Sequence, residues 1–166
     1  MKSRILSMFL AIVLTTQVSA EVDTRRLHVL SGEFLDYDFV MDVVNGGPDN
    51  NVVHMTRWQN HTGQLWRIVR DGRFFRLTSQ FRGPRMCLDV GAGRQNTGVL
   101  LLPCGNFSGQ LWSLHEVRDH KYRMTTEFLG PDMCLDVGRG GPDTHELLLA
   151  PCGNYSGQFW SIEAVR

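Results

Sequence analysis

The tripeptide Gln-x-Trp occurs three times in this chain, as Gln64-Leu65-Trp66, Gln110-Leu111-Trp112 and Gln158-Phe159-Trp160. The steps between the glutamines are 46 and 48 residues. A fixed period of this kind means one structural unit built three times.

The unit is wider than the tripeptide. In the third, Cys134-Leu135-Asp136-Val137 precedes Pro151-Cys152-Gly153-Asn154-Tyr155-Ser156-Gly157-Gln158. In the second, Cys87-Leu88-Asp89-Val90 precedes Pro103-Cys104-Gly105-Asn106-Phe107-Ser108-Gly109-Gln110. The first is a worn copy, with Met41-Asp42-Val43 and then Trp58-Gln59-Asn60-His61-Thr62-Gly63-Gln64. Asp42, Asp89 and Asp136 are 47 residues apart at each step. Repeats of about 25–70, 71–118 and 119–166 therefore use almost the whole chain.

Residues 1–20 read as a secretory signal peptide. Lys2 and Arg4 form a basic start, Ile5 to Leu14 is almost wholly apolar, and Val18-Ser19-Ala20 is a small-residue cleavage pattern. The apolar run is too short for a membrane span, and no later segment approaches one. Cleavage after Ala20 is expected, giving a secreted or periplasmic domain spanning 21–166. Losing Lys2 and Arg4 takes the basic count from 17 to 15 against 17 acidic residues, a formal charge of −2. With no basic patch, nucleic acid is not implied as a partner.

The four cysteines fall in the second and third units, Cys87 with Cys104 and Cys134 with Cys152. In an exported chain such cysteines read as disulfides. Three pairings are formally possible, and repeat symmetry favours one bridge inside each unit. Each such loop is worth ~3 kcal/mol in the chain-entropy model. The first unit has Met41 near one cysteine position and Trp58 at the other, so it must close by packing alone. The cysteines lack short Cys-x-x-Cys spacing, which argues against a zinc site.

Short strands broken by turns make up each unit. Arg73–Ser79 alternates around Phe75 and Leu77, Val99–Leu102 is a short buried run, and Leu111–Val117 is another strand. Turns are expected at 45–49, 91–93 and 138–143, where glycines cluster. No segment carries a helical period over eleven residues. Four strands per unit give twelve, and an all-β barrel with pseudo-threefold symmetry satisfies that count while hiding its edges. The three tryptophans then belong near the common core. The glutamines, each with a donor and an acceptor, can tie loop backbone together.

The three Gln-x-Trp motifs, the Cys-Leu-Asp-Val strands and the Pro-Cys-Gly-Asn turns together resemble the ricin B-type β-trefoil lectin family over roughly residues 25–165. The resemblance implies a β-trefoil with shallow sugar pockets, one per repeat at most, for galactose or related glycans. It implies an aspartate after the first cysteine, an aromatic ring two residues before the second, and an asparagine just before the glutamine. A carboxylate engages sugar hydroxyls, while a ring stacks on the apolar C–H face.

Position by position, the aspartates are present as Asp42, Asp89 and Asp136. The stacking position holds Thr56, Leu102 and Ala150, and the asparagine position holds Gly63, Gly109 and Gly157. A different set recurs: Asn60-His61, Asn106-Phe107 and Asn154-Tyr155, with the ring three residues before the glutamine. One reading makes this loop a relocated stacking platform opposite the aspartate. The candidate carbohydrate contacts are then Asp42, Asp89, Asp136, Asn106, Phe107, Asn154, Tyr155, Gln110 and Gln158. The other reading has the asparagine set a turn, the ring cover the barrel rim, and the aspartate cap its own loop. The same stretches also spell N-glycosylation sequons.

Six histidines form no metal-ligand spacing, and there is neither a Gly-x-Ser-x-Gly elbow nor a phosphate-cradling glycine loop. No cofactor is called for, and the repeats leave no room for a catalytic domain. Two non-enzymatic functions remain. One is a secreted lectin, whose weak single sites, near millimolar or ~−4 kcal/mol, gain strength by multivalency. The other is a protein-interaction or cell-binding subunit of the toxin-accessory type, with eroded sugar sites and a secreted protein partner. For that second reading Trp58, Phe34, Tyr37 and Phe39 are the candidate apolar contacts.

Overall fold

The computed structural model describes residues 22–92, 97–138 and 145–166. The expected signal peptide and most of the turn at 138–143 lie outside the described residues. Twelve strands are described: β1 (Leu27–Gly32), β2 (Phe39–Val43), β3 (Val53–Arg57), β4 (Trp66–Asp71), β5 (Phe74–Ser79), β6 (Met86–Ala92), β7 (Gly98–Pro103), β8 (Trp112–Arg118), β9 (Lys121–Thr126), β10 (Gly130–Val137), β11 (Leu147–Pro151) and β12 (Trp160–Ala164). Between them lie single 3-10 turns, including Thr62–Gln64, Ser108–Gln110 and Ser156–Gln158. Among the described residues no helix is long and apolar enough to cross a membrane.

Six strands close a ring. β1 pairs with β4, β4 with β5, β5 with β8, β8 with β9, β9 with β12, and β12 returns to β1, all antiparallel. Closure of this kind removes the exposed edges of an open sheet. The alternation of side chains fits it: in β4, Trp66 and Ile68 are buried while Arg67 and Val69 face out.

The other six strands form three hairpins, β2–β3, β6–β7 and β10–β11. They meet at one end of the barrel through three equivalent backbone bonds. The amides of Met55, Leu101 and Leu149 donate to the carbonyls of His145, Asn51 and Thr97, each at 2.8 Å. The result is a β-trefoil, as the period predicts. Of the expected turn at 91–93, residue 93 lies outside the described residues, and β6 continues through Gly91 to Ala92. The register shifts there, with Val90 opposite Val99 and Ala92 opposite Gly98. Gly91 takes up the bulge at φ 157°.

Trp66, Trp112 and Trp160 are fully buried in the core. Their indole Nε1 atoms donate to the carbonyls of Met41 (3.0 Å), Leu88 (2.9 Å) and Leu135 (3.0 Å). Each Gln-x-Trp thus pins a barrel strand to the cap hairpin of its own repeat, burying the ring and satisfying its single donor.

Disulfides join Cys87 to Cys104 and Cys134 to Cys152, each with Cα atoms 5.0 Å apart. In the first repeat the cysteine position falls on Val40, next to Met41. Val40 pairs with Thr56 just as Cys87 pairs with Leu102 and Cys134 with Ala150. The hairpin still closes there through the backbone. The Trp58 amide donates to Asp38 O at 2.8 Å, matching Cys104 to Arg85 and Cys152 to Asp132, both 2.9 Å. Trp58, Phe34 and Tyr37 are exposed, whereas Phe39 packs against the core and stacks on His145 at 5.2 Å.

Candidate functional site

The 3-10 turn before each Gln-x-Trp turns the glutamine inward. Gln110 accepts at Oε1 from the Gly105 amide (2.9 Å) and from Arg76 Nη1 (3.0 Å). Its Nε2 donates to Pro103 O (3.0 Å) and to Asp89 Oδ2 (2.9 Å). Gln158 repeats this with the Gly153 amide (2.8 Å), Pro151 O (3.0 Å) and Asp136 Oδ2 (2.8 Å). Both glutamines are fully buried. They line neither of the cavities described below; they hold the loop and aim the aspartate.

The aspartates sit behind these glutamines. Asp89 and Asp136 are 5% and 4% exposed. The other oxygen of Asp89, Oδ1, accepts from the amide of Val90 at 2.7 Å. The position where the resemblance calls for asparagine is glycine for a steric reason. A Cβ at Gly109 or Gly157 would lie 2.2 or 2.1 Å from the Oδ1 of Asp89 or Asp136. The carboxylate occupies the space that a side chain there would need.

The rings lie on glycine as well. A Cβ at Gly105 would meet the Phe107 ring at 2.5 Å, and one at Gly153 the Tyr155 ring at 2.2 Å. Each ring rests against the backbone of its own turn while remaining exposed to solvent. Arginines secure the turn from below: Arg76 Nη1 donates to Gly105 O at 2.8 Å and Arg123 Nη2 to Gly153 O at 2.6 Å. Neither arginine is evident from the motifs, although the two are 47 residues apart.

These residues converge on two cavities. One, of about 470 Å³, is lined by Asp136, Asn154, Tyr155, Ser156, Gly157 and Phe34. The other, of about 340 Å³, is lined by Asp89, Asn106, Phe107, Ser108, Gly109 and Phe128. Both are within the size range of small-ligand sites. Phe34 was expected only as a docking residue and Phe128 was not expected at all. The missed signal is the series Phe34, Phe81 and Phe128, each 47 residues from the next.

The first repeat is built differently. Thr56 is inserted between the pair: Gln64 Nε2 donates to Thr56 Oγ1, which donates to Asp42 Oδ2, both at 2.9 Å. Gln59 replaces the glycine under the ring, and its amide and that of His61 donate to Gln64 Oε1 at 2.9 and 3.3 Å. Val29 stands 47 residues before Arg76, so the arginine support is missing.

A six-stranded barrel capped by three hairpins, each repeat locked by Gln-x-Trp, defines a β-trefoil of the lectin class. The chain belongs to the ricin-type β-trefoil lectin domain family, whose model matches residues 73–166. Solved structures share the fold. A designed threefold-symmetric protein, ThreeFoil, matches with TM-score 0.71 at 20% identity, over 86% of this chain and 100% of that one. The ricin B-like lectin of Macrolepiota procera, in complex with lactose, matches with TM-score 0.69 at 16% identity, over 87% of this chain and 99% of that one. The Haemophilus ducreyi cytolethal distending toxin matches with TM-score 0.64 at 14% identity, over 91% of this chain and 93% of that one. No curated protein sequence matches the chain. At these identities the structural likenesses speak for the fold alone.

Proposed function

We propose that this chain is an exported lectin that binds glycans through the pockets of its second and third repeats. Phe107 and Tyr155 provide the stacking faces, and Asn106 and Asn154 provide side-chain amides at the rim. Asp89 and Asp136 form the polar floor. The carrying observation is that Asp136, Asn154 and Tyr155 line one cavity and Asp89, Asn106 and Phe107 line its counterpart. Family membership supports the same reading. Two disulfides fit an oxidising compartment, in line with a signal peptide over residues 1–20 and a mature domain over 21–166.

Two shallow sites on one small domain favour multivalent ligands, since each alone is weak. A glycan array probed with the mature chain in a multivalent format tests the proposal. Retention that an excess of one free sugar abolishes is the expected result. Silence from a folded, disulfide-bonded chain contradicts it.

A further inference from the structure

Each cavity has a second ring that its own repeat does not supply. Phe34 follows β1 yet lines the cavity of Asp136 and Tyr155. Phe128 follows β9 yet lines the cavity of Asp89 and Phe107. Phe34 reaches the third repeat because β1 pairs with β12 and the Glu33 amide donates to Phe159 O at 3.0 Å. The 47-residue spacing of Phe34, Phe81 and Phe128 equals that of the aspartates, so the ring across the junction is part of the repeat. Phe107 and Phe128 line one space without stacking on each other. Both remain more than half exposed, at 59% and 51%.

We infer that the sugar lies between the two rings and is a pyranose with all substituents equatorial, of the β-gluco type, and not a galactoside. The inference rests on the glycan reading above. An all-equatorial pyranose carries axial C–H bonds on both faces, so either face can meet an aromatic ring. Galactose has an axial hydroxyl at C4, which makes one face polar and requires a hydrogen-bond partner there. The wall offers little for that purpose. Positions 109 and 157 are glycine, and the Asp89 and Asp136 carboxylates, 5% and 4% exposed and each held by a glutamine, belong to the floor of the cavity and not to its aromatic faces. The Asn106, Ser108, Asn154 and Ser156 side chains line the rim, where equatorial hydroxyls point.

The test is saturation-transfer NMR on the mature, disulfide-bonded chain. The probes are β-1,4-linked disaccharides of glucose and of N-acetylglucosamine, with methyl β-galactoside as the contrast. The gluco-configured probes are expected to receive saturation at protons on both faces and to bind roughly tenfold more tightly than the galactoside. Phe34→Ala and Phe128→Ala are each expected to weaken one site by about tenfold. Should either variant fail to fold, the two-face saturation pattern in the unaltered protein decides. Equal or tighter galactoside binding, saturation confined to one face, or undiminished binding by folded variants overturns the two-ring inference and leaves the lectin reading standing. No binding of any glycan overturns both.

Discussion

Gln158 donates from Nε2 to Oδ2 of Asp136 at 2.8 Å, and both residues are buried. The same bond joins Gln110 to Asp89 at 2.9 Å, while in the first repeat Thr56 intervenes. The aspartate that a sugar pocket requires is thus also a structural member of its repeat. Removing it leaves buried donors without a partner, which costs about 2 kcal/mol or more. Asp89→Ala is expected to lower the unfolding free energy by that amount, read as a fall of roughly 1 M in the urea midpoint at unchanged slope. Asp42→Ala is expected to cost less, because Thr56 stays in place to accept from Gln64. Equal losses at the two sites would contradict this account of the first repeat.

Restoring asparagine next to the glutamine is expected to fail. In Gly157→Asn the new Cβ would lie 2.1 Å from Asp136 Oδ1 and 3.2 Å from the Val137 amide nitrogen. Overpacking of a rigid site costs roughly 1–3 kcal/mol. A thermal melt should show a clear destabilisation, with no gain of galactose binding. A variant that melts like the parent would show that the aspartate can swing aside.

The two disulfides close loops of 17 and 18 residues. Each is expected to contribute ~3 kcal/mol, equivalent to a melting shift of roughly 10 °C for a domain of this size. Cys134→Ala/Cys152→Ala, compared with the parent by calorimetry, checks the figure. The first repeat shows that a hairpin of this type holds without a bridge, so the variant should remain folded at room temperature.

Buried His28 and half-buried His54 set a pH dependence. Burial holds His28 and His54 below the ordinary imidazole value of 6.5, although Asp23 and Asp42 respectively pull the other way. His28 Nδ1 is buried without a hydrogen-bond partner. The unfolded chain therefore binds protons that the folded chain refuses, in the window between the folded values and 6.5. Their contribution is complete above that window and is lost as pH falls through it. The melting temperature is expected to be lower near pH 5 than near pH 7.5, and His28→Gln/His54→Gln should flatten part of that slope. An unchanged slope in the variant would remove these histidines from the account.

The fold was legible because three Gln-x-Trp motifs at one period admit few closed arrangements, and the cysteines share that period. The buried tryptophans followed from the same pattern. The direction in which Asp136 points was not legible. It depends on Gln158 arriving from a turn 22 residues later and on Gly157 leaving room beside it. The junction rings were missed because Phe34 acts on a pocket more than a hundred residues away, joined to it only when β1 meets β12. Arg76 and Arg123 were missed because an arginine within a strand carries no local mark of the loop it will support.

The most direct measurement is a glycan array comparing the mature chain with Phe107→Ala/Tyr155→Ala. Both rings are exposed, so the variant should keep its melting temperature. The account predicts sugar-competable binding by the parent and its loss in the folded variant. Equal, sugar-competable binding by both would show that the glycan is held elsewhere on the trefoil and would contradict the account.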